Sequence, residues 1–237
     1  MLTLYSYPEL CGVADNNGYG LKVFAFLRLA GVQFSHERIF DASSAPRGQL
    51  PYITDGGEAV GDSETIINFL NRKYRLSVDD QLTSAQRQLR HLVIRMLDDL
   101  YWVMSYSRWK DEQFWPAFRD VLKREHPQLR DEGLQQAREY NHKRYYYQGV
   151  GRLEPAAAYA RALSDLEVLA ELIPTAGYMF GAKPTSLDAA IYGFVANIYF
   201  LPIQTPLKQF VDSRPNLVRH CSAIHEAIRT RSSQLSS

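Results

Sequence analysis

The chain has 237 residues, 46% of them hydrophobic and 22% charged, the usual make-up of a protein that buries a real core. Lys and Arg total 27 against 26 Asp and Glu, so the formal charge is only +1, which argues against a dedicated nucleic-acid binder. The two cysteines, Cys11 and Cys221, lie in no CxxC or metal-ligand spacing, so neither a disulfide framework nor a zinc site is expected and a reducing compartment is.

No positively charged segment precedes a long apolar run at the start, so no secretory signal is expected. The longest apolar-looking stretch, residues 189–203, contains Asn197 and Pro202 and falls short of the roughly 20 residues a spanning helix needs. Residues 229–237 are polar and carry no tail anchor. No membrane insertion is expected.

The elements fall into two textures. Residues 2–5 read as a buried strand, and a Gly- and Asn-rich loop follows over 12–20. Residues 21–30 are apolar nearly all round and end at Gly31, a short helix with a glycine stop. Strands are predicted over 33–40, 51–54 and 58–60, the last two joined by the tight turn Asp55-Gly56-Gly57. Asp62 opens a helix that buries Ile66, Ile67, Phe69 and Leu70. The polar stretch 73–83 is a natural linker. Beyond it, three-and-four spacing from Leu89 to Val103 marks one long helix, and further helices are predicted over 156–173, 187–199 and 217–228.

Two stretches of the first half carry binding chemistry. In Gln49-Leu50-Pro51 a proline stands at a strand entrance. It reads either as an edge-strand proline or as a cis-proline that turns the main chain of Leu50 toward a ligand. Asp62-Ser63 opens a helix whose free N–H groups attract a carboxylate, while Asp62 can accept from an ammonium. The pair suits the head of an α-amino acid, although on its own it reads first as simple capping by Asp62.

These stretches, with residues 21–31, Gly149-Val150-Gly151-Arg152, 183–189 and 215–221, resemble the glutathione transferase superfamily, and within it the failed-axon-connections and metaxin-like branch. The resemblance implies an α/β thioredoxin-like N-terminal domain, residues 1–76, and an all-α C-terminal domain, residues 84–237. It also implies a glutathione site. The main chain of Leu50 before a cis Pro51 would pair with the cysteinyl part, Asp62 and Ser63 would hold the γ-glutamyl end, and Gln49 would lie near the middle or the glycyl end. A cytoplasmic, detoxifying, dimeric transferase is the implied whole, conjugating glutathione to a small apolar electrophile or using it in a thiol-dependent reduction. A non-catalytic binding or protein-interaction module on the same fold is the alternative.

The family's usual Ser or Cys before the first helix is absent, and Asn17-Gly18-Tyr19-Gly20 stands in its place. The Asn17 side-chain NH₂ is therefore the candidate donor to the glutathione sulfur, with Tyr7 as a rival and Tyr5 expected to pack in the core. Cys11 could form a mixed disulfide but reads better as an inert loop thiol. Asp98, Trp102, Ser105, Tyr106 and Trp109 share a helical face, so Trp102, Tyr106 and Trp109 are the expected wall for the second substrate, or else interdomain packing. Thr185-x-x-Asp188 is a capping box of structural purpose. Lys143-Arg144-Tyr145-Tyr146-Tyr147 reads as a solvated helix end rather than a base-stacking patch. His220 and His225 are not on one helical face, and no metal is expected.

Overall fold

The structure, a computed structural model, describes residues 1–234. The last part of the polar C-terminal stretch, residues 235–237, lies outside the described residues. The first half holds a four-stranded sheet in the order β2-β1-β3-β4, made of β1 (Thr3–Ser6), β2 (Ser35–Arg38), β3 (Tyr52–Asp55) and β4 (Glu58–Gly61). β1 runs parallel to β2 and antiparallel to β3, with Leu4 opposite His36 on one side and Ile53 on the other. Leu4 and Ile53 are fully buried, which fixes the register, since a one-residue slip would turn both into the other face. β3 and β4 form a hairpin whose turn residues, Gly56 and Gly57, have φ of 62° and 89°, a region open to glycine.

Helix α1 spans Gly18–Leu29, three residues earlier than the apolar pattern indicates. Its start is set by Asn17, which caps it by accepting from the Tyr19 N–H at 2.9 Å. α1 is apolar all round because it is covered twice. One side packs on α2 (Ser63–Tyr74), the other on α7 (Ser186–Tyr199) and the last helix of the chain. The second contact needs glycine: a Cβ on Gly193 of α7 would meet the Gly18 carbonyl oxygen at 2.5 Å and the Lys22 nitrogen at 2.8 Å.

The helical half contains α3 (Ser84–Trp109), α4 (Trp115–Glu125), α5 (Asp131–Gln148), α6 (Pro155–Leu172), α7, α8 (Pro206–Asp212) and α9 (Pro215–Gln234). Helices α4, α5 and α8 were not separated by the sequence pattern. α5 explains why: only Leu134 and Tyr145 of its residues are buried, so it carries no continuous apolar stripe. The predicted capping box of α7 is present. The Asp188 carboxylate accepts from Thr185 N at 2.7 Å, Thr185 Oγ1 at 2.8 Å, Met179 N at 2.8 Å and His220 Nε2 at 2.8 Å. The polar segment between α2 and α3 is pinned to the helical half through Asp79, which accepts from Ser186 N at 2.9 Å and Ser186 Oγ at 2.5 Å.

Candidate active site

A cavity of about 700 Å³ lies between the two halves. The sheet half contributes Tyr7, Asn17, Gln49 and Leu50 to its lining, α3 contributes Tyr101, Ser105, Arg108 and Trp109, and α5 contributes Tyr140, Asn141 and Arg144. The Leu50–Pro51 peptide is cis, the sharper of the two sequence readings. Tyr5 stacks on Tyr52 with ring centroids 4.4 Å apart, in a small satellite core that includes Leu50 and Tyr7. Tyr5 is thus a packing residue beneath the site, whereas Tyr7 reaches the cavity.

Asn17 stands at the cavity with its amide orientation fixed. Its oxygen caps α1, so its NH₂ faces the other way and donates to the Tyr101 hydroxyl at 3.4 Å. Burial, with Tyr101 and Asp15 nearby, pushes the Tyr7 phenol up to about 12, so Tyr7 is a neutral donor at ordinary pH. Asp15 is fully buried against Gly20, where an added Cβ would stand 1.7 Å from Oδ2. Burial raises its carboxyl to about 7, even though Asn17 N donates to Oδ1 at 2.6 Å.

Asp62 and Ser63 take a different arrangement from the open head-group site expected of them. Neither lines the cavity. Asp62 caps α2 from a φ of 73°, accepts from Thr65 N at 3.0 Å, and pairs with Arg47 at 3.3 Å. Ser63 is buried, and the Lys22 ammonium donates to its hydroxyl at 3.3 Å and to Glu64 at 2.5 Å. An ammonium has donors only, so it takes the Ser63 oxygen as acceptor and leaves the Ser63 hydrogen to be given elsewhere. Burial depresses the Lys22 pKa, and Glu64 opposes that depression.

The wall of α3 is rotated from the predicted one. Tyr101, Met104, Ser105, Arg108 and Trp109 line the cavity, at three-and-four spacing. Of the expected trio only Trp109 is among them. Tyr106 is buried against Tyr145 and Tyr159, and Trp102 packs edge-on to Tyr145. The sequence pattern placed the face about one residue, or 100°, off, because α3 is aromatic on more than one side. Missed altogether were Tyr101 and the α5 residues Tyr140, Asn141 and Arg144. The run 143–147 is therefore not a uniformly solvated end: Tyr145 is fully buried and Arg144 turns to the cavity.

Cys11 is no thiolate. Its N–H and Sγ both bond Glu125, and burial with that carboxylate pushes the thiol up to about 12. Among the described residues no group of His, Cys, Asp and Glu is arranged to hold a metal ion, and no helix is long and apolar enough to cross a membrane.

The comparisons with known proteins agree with this geometry. Residues 19–114 match the family model of the glutathione S-transferase N-terminal domain, and residues 162–224 match that of the C-terminal domain. The isoprene-epoxide glutathione S-transferase of Rhodococcus sp. (strain AD45) is 30% identical over 95% of this chain and 98% of its own. The chain belongs to the glutathione S-transferase family. The chain is also similar to proteins of the failed-axon-connections and metaxin-like branch. Failed axon connections of Drosophila melanogaster is 28% identical over 95% of this chain and 57% of its own, and Metaxin-3 of Xenopus laevis 26% over 96% and 76%. Among solved structures, a beta-etherase from Sphingobium sp. strain SYK-6 superposes with a TM-score of 0.70 at 16% identity, covering 98% of this chain and 99% of that one. That likeness is one of fold.

Proposed function

We propose that the protein binds glutathione in the interdomain cavity and conjugates it, as the thiolate, to a small electrophile. The observation that carries the reading is a cavity of about 700 Å³ with Asn17, Gln49 and Leu50 at one side and an aromatic wall at the other. In this reading Leu50 offers its main chain to the cysteinyl part and Gln49 lies toward the glycyl end. The α2 start, with Asp62 and the Ser63 hydrogen, faces the γ-glutamyl end. Asn17 and Tyr7 donate to the sulfur.

An unaided thiol has a pKa of about 8.5, so a thiolate at neutral pH needs roughly 1.5 units, close to what one hydrogen bond to a charged acceptor supplies. The sulfur then forms the new bond to carbon, and the leaving oxygen or halide carries off the electron pair of the old one. An epoxide, the substrate named for the Rhodococcus relative, leaves an alkoxide that needs a proton. Tyr7, protonated at neutral pH, is suited to give it. Retention on glutathione-agarose followed by a chloro-nitrobenzene conjugation assay tests the whole. A protein that shows no retention and no turnover refutes it.

A second reading keeps the binding and drops the chemistry. It is favoured by Asn17, whose amide is engaged by Tyr19 and Tyr101 where the family usually has a Ser or Cys. Retention without turnover selects it. Homodimerisation and a cytoplasmic location complete the proposal. Sedimentation and cell fractionation test them.

A further inference from the structure

We infer, on the footing of the conjugation reading, that Arg144 receives a carboxylate carried by the electrophilic substrate. Its guanidinium lies at the cavity wall, half-buried, among three aromatic rings: 5.1 Å from the Trp102 centroid, 5.8 Å from Tyr140 and 6.0 Å from Tyr101. Of its five donors, one reaches Asn141 Oδ1 at 3.0 Å. Among the described residues no carboxylate pairs with it.

That sets Arg144 apart from Arg90 and Arg138, which are also half-buried. Arg90 and Arg138 each have an acid, Glu64 at 3.1 Å and Glu112 at 2.7 Å. The cavity's other arginine, Arg108, is spent on main-chain oxygens of Asn16 and Asn197. Asp41, the acid in the cavity lining, is exposed and bonds Ser43 N and Oγ at 2.8 Å each. The rings therefore hold a cation in a site partly shielded from water with donors to spare. A planar guanidinium so held matches a carboxylate in two parallel bonds. Loss of water around it strengthens the attraction relative to the surface. Through Tyr101 this site adjoins Asn17, so the anion and the reacting carbon belong to one compact molecule.

Glutathione has carboxylates too, and the experiment separates the two sources. The probes are 4-chloro-3-nitrobenzoate and 4-chloro-3-nitrobenzamide. In each the thiolate sulfur bonds the ring carbon that bears chlorine and chloride leaves with the bonding pair. Each kcat/KM is divided by the rate constant with free glutathione, for the wild type, Arg144→Met and Arg144→Lys. The expected result is a preference of at least about ten-fold for the acid, the size of one charge-assisted hydrogen bond. Arg144→Met abolishes the acid-to-amide preference, and Arg144→Lys, which keeps the charge, retains part of it. Equal handling of acid and amide by the wild type overturns the inference. So does a loss of glutathione affinity in Arg144→Met with the acid-to-amide ratio intact, which assigns the guanidinium to the tripeptide. Should no conjugation occur, the enzymatic reading falls and the subsite is read alone, by tryptophan quenching with 3-nitrobenzoate and 3-nitrobenzamide. A preference for the acid that Arg144→Met removes upholds the site, and no preference overturns it.

Discussion

Replacing Asp188 by Asn removes one charge and no bulk, yet it is expected to destabilise the protein by about 3 kcal/mol. The reason is that both carboxylate oxygens face main-chain N–H groups. Oδ2 accepts from Thr185 N and Oδ1 from Met179 N, in a wholly buried setting. An amide has one oxygen and one NH₂. Whichever way it is turned, an N–H confronts an N–H, so rotating the side chain moves the conflict without removing it. One buried donor left unpaired costs roughly 1–3 kcal/mol, and the loss of charge from the bonds to Thr185 and His220 adds to it. For a chain of this size each kcal/mol lowers Tm by roughly 2–4 °C, so a drop of about 6–12 °C is expected by calorimetry or circular dichroism. The carboxylate pKa is lowered: burial works to raise it, and the bond to His220 with the others outweighs burial. Its stabilisation is therefore present above the unfolded carboxylate pKa and lost as pH falls through the lower folded one. The mutational loss should shrink in acid accordingly. A variant within about 3 °C of wild type at neutral pH refutes the account of α7's start.

Gly193→Ala should loosen α1 from α7, since its methyl meets the Gly18 carbonyl at 2.5 Å, and a loss of about 1–3 kcal/mol is expected in urea titrations. Asp15→Asn should flatten the pH dependence of stability. The Asp15 carboxyl is raised to about 7, so its contribution is fully present below about pH 4 and is lost as pH rises through about 7. The difference between wild-type and variant unfolding free energies across that window measures it. Asn17→Ala should raise the pKa of the bound glutathione thiol by about 1–2 units, read from thiolate absorbance, and an unchanged value removes Asn17 from the role.

The first half was legible almost strand by strand because its signals are local. Alternation, the Gly56-Gly57 turn and the Asp62 cap each act within a few residues. The cavity was legible only from its sheet side. Gln49, Leu50 and Asn17 come from motifs of short span, whereas Tyr101 and Arg144 reach the cavity by the rotation of two helices about their axes. Helix rotation is set by packing partners distant in sequence, and α3 offered aromatic residues on several faces to choose from. Ser63 shows the same limit in reverse. Its place at a helix start was readable, but the buried Lys22 beneath it, from the middle of an apolar helix, was not a signal that spacing supplies.

The loop that bears Asn17 is held by both halves. Asn197 of α7 donates from Nδ2 to the Asp15 carbonyl at 3.2 Å, and Arg108 of α3 donates to the Asn16 carbonyl at 2.9 Å. Tyr101 of α3 takes the Asn17 amide itself. Three consecutive residues of the sheet half thus end on three side chains of the helical half. The geometry of the candidate donor therefore rests on the helical half as well as on the α1 cap. Arg108→Met tests this. It leaves the Asn16 and Asn197 carbonyls without their buried donor, which should cost several kcal/mol, and it loosens the loop from α3, where Tyr101 still holds Asn17. If glutathione is bound as proposed, its affinity should fall modestly while its thiol pKa rises toward that of the free tripeptide. A variant that loses affinity but keeps the lowered thiol pKa would show instead that the sheet half fixes the donor unaided.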